Sequence, residues 1–360
     1  MTGSAPEPTW LPAAQNPWQV PLLDVRGLTQ QVTAWSRNPQ AASNAISFDS
    51  EDGLAFADQH PESARRIPLA LRYRRDRLLA DGPLFLPRCM EHKWALFHHG
   101  GAIQIVRSWQ RQVVAIARTA QSGEWLDVTE LHGSLTDDDE APEFAARSLE
   151  FLVRSHVLGV VHPAPLPDEL AADAQKAATY CFSLYGNRAL FATHHDIPFV
   201  TPEQPLRSHS LLHIAIARGD WSAAKAQIDA GLPPDLLAGD GLTPLHWAIA
   251  GGPAALAFVL RSGCPIDARS SEGATALMTA SQSADADAFT WLLENGAAVD
   301  AIDHRGFSAL HRAAEAGDLR KVEALLKHGA DPGRVAMGHT ARSLAELRGH
   351  ATVSARLPAD

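Results

Sequence analysis

Cysteine is scarce in this sequence: Cys89, Cys181 and Cys264 are the three in 360 residues. They are far apart and odd in number, which argues against a disulfide framework and fits reduced thiols in a cytoplasmic compartment. No C-x-x-C pair is present, so no zinc ribbon is expected. No apolar run approaches the roughly 20 residues of a membrane-spanning helix. The first residues, MTGSAPEPTWLPAAQNPWQVP, lack a basic start followed by an apolar run and do not read as a secretion signal. The G-x-S-x-G elbow, H-E-x-x-H, the P-loop and G-x-G-x-x-G are missing too, so no catalytic residue and no cofactor are expected. Excess positive charge is also missing. Lys and Arg total 31 against 41 Asp and Glu, a net charge of -10, which disfavours general affinity for nucleic acid.

What remains is ordinary globular composition, 46% hydrophobic and 20% charged. Arg outnumbers Lys and Ala is abundant, which points to a GC-rich bacterial coding sequence. The length suits two domains. Residues 1–21 hold several prolines with Trp10 and Trp18 and read as an extended arm. A short helix is expected at 24–36, and 38–61 is polar and turn-rich. Residues 65–77 carry six Arg, with Ile67, Leu69, Leu71 and Tyr73 alternating among them. That pattern describes a strand with a wet basic face, which phosphate or the acidic stretch at 137–143 could also meet. Apolar runs at 94–97, 102–109, 112–117 and 124–131 are bounded by turn residues and predict an antiparallel sheet of about four strands. Pro142 opens a helix to about residue 155, and Asp168 is placed to cap another that runs to Tyr185 and stops at Gly186. Residues 22–200 therefore read as an α+β domain. Pro198, Pro202 and Pro205 mark a linker, with the boundary near 200–206.

Beyond the linker the sequence repeats. A hydroxyl residue falls at Ser210, Thr243, Thr275, Ser308 and Thr340, in steps of 33, 32, 33 and 32. A glycine falls at Gly231, Gly263, Gly296 and Gly329, in steps of 32, 33 and 33. Two independent series with one period imply an all-α solenoid. Each hydroxyl can cap a first helix, and Pro244 suits the first helical position. Gly219, Gly252, Gly317 and Gly349 fall where that helix should stop. Apolar residues such as Val322, Leu325 and Leu326 must be covered by a neighbouring unit, since one unit cannot bury them.

The pattern resembles the ankyrin repeat family over residues 206–357, with four to five repeats. Its G-x-T-P-L-H core stands intact as Gly241-Leu242-Thr243-Pro244-Leu245-His246 and nearly so as Gly306-Phe307-Ser308-Ala309-Leu310-His311. The resemblance implies that His213, His246 and His311 are structural. Met278 replaces this histidine in the third unit, and Ala284 stands where other units have glycine. The resemblance further implies binding of a protein partner through the turn tips and the concave side of the first helices. Asp240, Leu242, Glu272, His304, Arg305 and Phe307 are the candidate contact residues. Leu242 and Phe307 stand out because tips are normally wet, although Phe307 could instead cover a neighbouring turn.

In the first 200 residues, Cys89, His92, His98 and His99 are possible metal ligands, but strand alternation sends His98 and His99 to opposite faces. No metal site is expected from them. His194-His195-Asp196 reads as a loop rather than a base with its acid. The sequence thus describes a non-enzymatic, cytoplasmic protein-interaction protein with neither nucleic-acid nor membrane partners. The alternative is an enzyme or effector domain in 22–200 that the array targets to its substrate.

Overall fold

β-branched and aromatic runs separated by tight turns build the first of two units, Met1–Ser208 and His209–Asp360. The computed structural model describes residues 7–358 except 35, 37, 49, 50 and 137–139. Of the acidic stretch at 137–143, residues 137–139 lie outside the described residues.

The N-terminal stretch is built into the first unit: β1 (Thr9–Leu11) pairs with β2 (Leu22–Asp24). The helix expected at 24–36 is shorter: Asp24 is still strand, and α1 spans Arg26–Thr29. The turn-rich segment instead holds α2 (Pro39–Ile46). The Asn38 side chain caps it by accepting the Gln40 amide at 3.0 Å, with Pro39 at the first position.

β3 (Arg66–Arg74), β4 (Gly82–Phe85), β5 (Trp94–His99), β6 (Ala102–Arg107), β7 (Gln112–Ser122) and β8 (Trp125–Gly133) form one antiparallel sheet in the order β3-β8-β7-β6-β5-β4. The four runs expected from the sequence are β5 to β8. The basic run and the GPLF segment add an edge on each side, giving six strands rather than four. The β5–β6 turn is Gly100-Gly101, with φ of 54° and 75°, the two-residue hairpin whose handedness matches strand twist.

The sheet is covered on both faces, which is why β5 is buried along nearly its whole length. Trp94, Leu96, Ile103 and Ile105 join the larger core, while Ala95, Phe97, Val106 and Val113 pack with Phe48 and Phe56. α3 (Pro142–Leu152) and α4 (Ala174–Tyr185) contribute Leu149, Phe151, Cys181 and Tyr185 to the larger core. β9 (Ala164–Pro165) and β10 (Phe191–Thr193) complete the small sheet in the order β1-β2-β10-β9. Asp173 rather than Asp168 caps α4, accepting the Lys176 amide at 3.0 Å. Gly186 ends α4, and a Cβ there would sit 1.6 Å from the Glu91 carbonyl oxygen, so only glycine fits. Leu206 and Ser208 belong to this unit: the Leu206 amide donates to Arg74 and the Ser208 hydroxyl to Ala80.

The second unit is five helix pairs: α5 (Leu211–Arg218) and α6 (Trp221–Asp229), α7 (Pro244–Trp247) and α8 (Gly252–Arg261), α9 (Ala276–Gln282) and α10 (Ala286–Glu294), α11 (Ala309–Ala316) and α12 (Leu319–Lys327), α13 (Ala341–Leu347) and α14 (Ala351–Arg356). All five hydroxyl residues of the sequence series are the N-caps of first helices. Three second helices are capped by aspartates, Asp220, Asp285 and Asp318. One continuous core runs through the stack, including Leu212, Leu245, Leu277, Leu310 and Leu325.

Candidate protein-interaction surface

The turn tips are held from below by the hydroxyl–histidine pairs. Thr243 Oγ1 lies 2.7 Å from His246 Nδ1, which also accepts the Thr243 amide. The ring proton therefore sits on Nε2 and reaches the Ala274 carbonyl of the next repeat at 3.2 Å. Ser308 and His311 repeat this arrangement, with Nε2 at 3.1 Å from the Arg334 carbonyl. Burial pushes His213 down to about 3 and His246 to about 4, so both rings are neutral at neutral pH. They are positioning groups for the turns.

Main-chain bonds also join successive tips. The Ser271 amide donates to the Gly241 carbonyl at 2.8 Å, and the His304 amide to the Glu272 carbonyl at 2.9 Å. On this fixed backbone Asp240, Glu272, His304 and Arg305 are exposed. Asp240 also braces its own turn, since its carboxylate accepts the Leu242 amide at 2.9 Å and the Trp247 indole at 3.1 Å. Leu242 and Phe307, expected as exposed apolar tips, are half-buried. The Phe307 ring lies under the Arg305 and Arg312 guanidiniums at 5.3 and 4.8 Å and edge-on to His311 at 5.7 Å. Arg312 in turn pairs with buried Asp303 at 2.7 Å.

Among the described residues the most exposed apolar side chain at a tip is in the last repeat. Counting back from Thr340, Met337 occupies the position of Asp240, Glu272 and Arg305, and it is 71% exposed, beside Val335 at 61%. The Ala336 and His339 main chains exchange two hydrogen bonds of 2.9 Å around Met337-Gly338, whose φ values are 49° and 82°. This is a two-residue hairpin turn that favours Asn-Gly, so methionine there is strained. The same counting in the sequence would have found Met337.

The chemistry candidates of the first unit have local partners. His92 and the His98–His99 pair lie at opposite ends of β5, roughly 15–20 Å apart. The His98 and His99 Nδ1 atoms lie 3.2 and 3.1 Å from the two oxygens of Asp81. Both imidazoles thus reach one carboxylate although they are successive residues of the strand, His98 paired with Ile103 and His99 with Ala102. Burial opposes ionisation of Asp81, but the two imidazoles and the Gly100 amide carry its carboxyl down to about 2. Asp196 pairs with Arg147 at 3.2 Å, while His194 lies 3.6 Å from Asp168. Of the basic run, Arg66, Arg72 and Arg74 face Glu130, Asp127 and Glu124 across the β3–β8 pair at 2.5–2.9 Å. Cross-strand acids thus neutralise that face.

Comparison with known proteins agrees with the helix pairs. The family model for ankyrin repeats, three copies, matches residues 212–303 and 254–336. No curated protein sequence matches the chain. Residues 212–336 of this chain are ankyrin repeats, of the family known as protein–protein interaction modules.

Proposed function

We propose that the chain is a non-enzymatic, cytoplasmic interaction protein that holds a protein partner on the turn tips and the concave side of its first helices. One observation carries this reading. At one equivalent position of four successive tips, Asp240, Glu272, Arg305 and Met337 are all exposed. Two acids, a cation and a large apolar group in a row match a protein surface of mixed character. A phosphate backbone would call for cations throughout, and a bilayer surface for basic and apolar residues together. Strain at Met337 strengthens the reading, because a costly backbone persists where the side chain has a use.

The test is affinity capture with the full chain against Asp240→Asn, Glu272→Ala, Arg305→Ala, Met337→Asn in one molecule, the asparagine keeping an acceptor for the Leu242 amide. The combined variant should lose the enriched partner at least about tenfold, as loss of a few central contacts does elsewhere, while its circular dichroism stays unchanged. Equal enrichment of the same partner would contradict the proposal.

A further inference from the structure

A cavity of about 450 Å³ opens in the first unit, and all its lining residues belong to that unit. Its walls come from residues 32–34, the end of β6, the β6–β7 turn and the last part of α4. That volume falls in the range of sites for small molecules.

Two cations converge on it, Lys93 and Arg107. Lys93 is only 8% exposed, and its ammonium lies between two ring faces, 4.1 Å from Trp109 and 5.1 Å from Phe182. The Arg107 guanidinium stacks on Trp94 at 3.9 Å. The Lys93 ammonium donates to the Met90 carbonyl at 3.1 Å, and Arg107 donates to the Leu184 carbonyl at 3.2 Å. Their other N–H groups have no acceptor among the described residues, and neither cation forms an ion pair there. Glu91 is the acid whose charge acts on Lys93, but its carboxylate accepts the Ala34 amide at 2.8 Å.

Desolvating two like charges at one cavity is unfavourable, and ring faces offset only part of it. Burial and the neighbouring Arg107 charge hold Lys93 down to about 8, against the pull of Glu91. Burial likewise holds Arg107 down to about 10. An anion between the two would relieve the repulsion and fill the vacant donors with charge-assisted bonds.

We propose that this cavity binds a small anionic ligand, a phosphate or carboxylate group gripped by Lys93 and Arg107 with Trp109 and Phe182 as its apolar walls. The aromatic walls suit a ligand whose anionic head carries a flat or apolar body.

Inorganic phosphate at pH 7 is the probe, titrated into the full chain by calorimetry with sodium chloride at equal ionic strength as the control. Saturable binding to one site is expected, weakened at least about tenfold in Arg107→Met and in Lys93→Met, as removal of a charge-assisted bond implies. A readout that needs no variant is acetylation of lysines followed by mass spectrometry. Phosphate should slow modification of Lys93 while leaving Lys176 and Lys225, both exposed on their helices, unchanged. No saturable heat beyond that of chloride, equal binding by folded variants, or an unprotected Lys93 at saturating phosphate would each overturn the proposal.

Discussion

The Lys321 ammonium lies 2.8 Å from the carbonyl oxygen of Ala280, one repeat away, and also bonds the Ser283 carbonyl. These carbonyls belong to the end of α9, the first helix whose sequence lacks the stop glycine. α5 and α11 end on Gly219 and Gly317 in the left-handed conformation, but α9 ends on Ser283 at φ -74°. A cation therefore satisfies carbonyls that no left-handed turn folds back on. Lys321 is 3% exposed, and burial lowers its pKa. Lys321→Met, which keeps the stem and removes the charge, should destabilise the chain by about 1–3 kcal/mol through the stranded Ser283 carbonyl, since Ala280 still accepts the Ser283 hydroxyl at 3.1 Å. Urea unfolding checks this, and an unchanged midpoint would show that water serves as well.

Met337 has a prediction of opposite sign for stability. Asparagine tolerates φ near 49° better than methionine does, so Met337→Asn should raise stability by roughly 0.5–1 kcal/mol. It should at the same time weaken partner capture. A gain in melting temperature with undiminished capture would mean that the exposed methionine has no contact to make.

Phe307 behaves differently from Met337 because its ring is covered by two guanidiniums. Phe307→Ala should cost about 1–3 kcal/mol, from lost ring contacts and from burial. Thermal unfolding of that variant measures it. A neutral effect would return Phe307 to the exposed tips that the sequence describes.

The buried histidines make the array acid-sensitive. An unfolded histidine titrates near 6.5, whereas His213 and His246 are held at about 3 and about 4. As the pH falls below about 6.5 the unfolded chain takes up protons that the folded chain refuses, so folding weakens down to the folded values. From pH 7 to 5 the loss should be on the order of 1–2 kcal/mol per histidine. Urea midpoints at the two pH values test this, and the difference should shrink in His246→Gln.

The repeat was legible because each unit solves the same local problem. Ser210, Thr243, Thr275, Ser308 and Thr340 recur since every first helix needs a cap. Asp220, Asp285 and Asp318 recur for the same reason, and Asp267 and Asp300, 33 apart, each accept an amide of the next repeat. Those series were equally present but are quieter, since aspartate is common in loops. Lys321 could not be read, because its partners lie about 40 residues back and its position looks like helix surface. In the first unit, the hairpin at Gly100-Gly101 was plain from turn chemistry. The cavity was not: Lys93, Arg107 and Phe182 meet only through pairing of β5 with β6 and packing of α4, and no local spacing records that.

Amide hydrogen exchange of the full chain, with and without its captured partner, tests the central claim most directly. Protection is expected at the tips, residues 239–242, 271–273, 304–307 and 336–339, and on the first helices beside them. Protection confined to residues 7–208, with the tips unchanged, would contradict it.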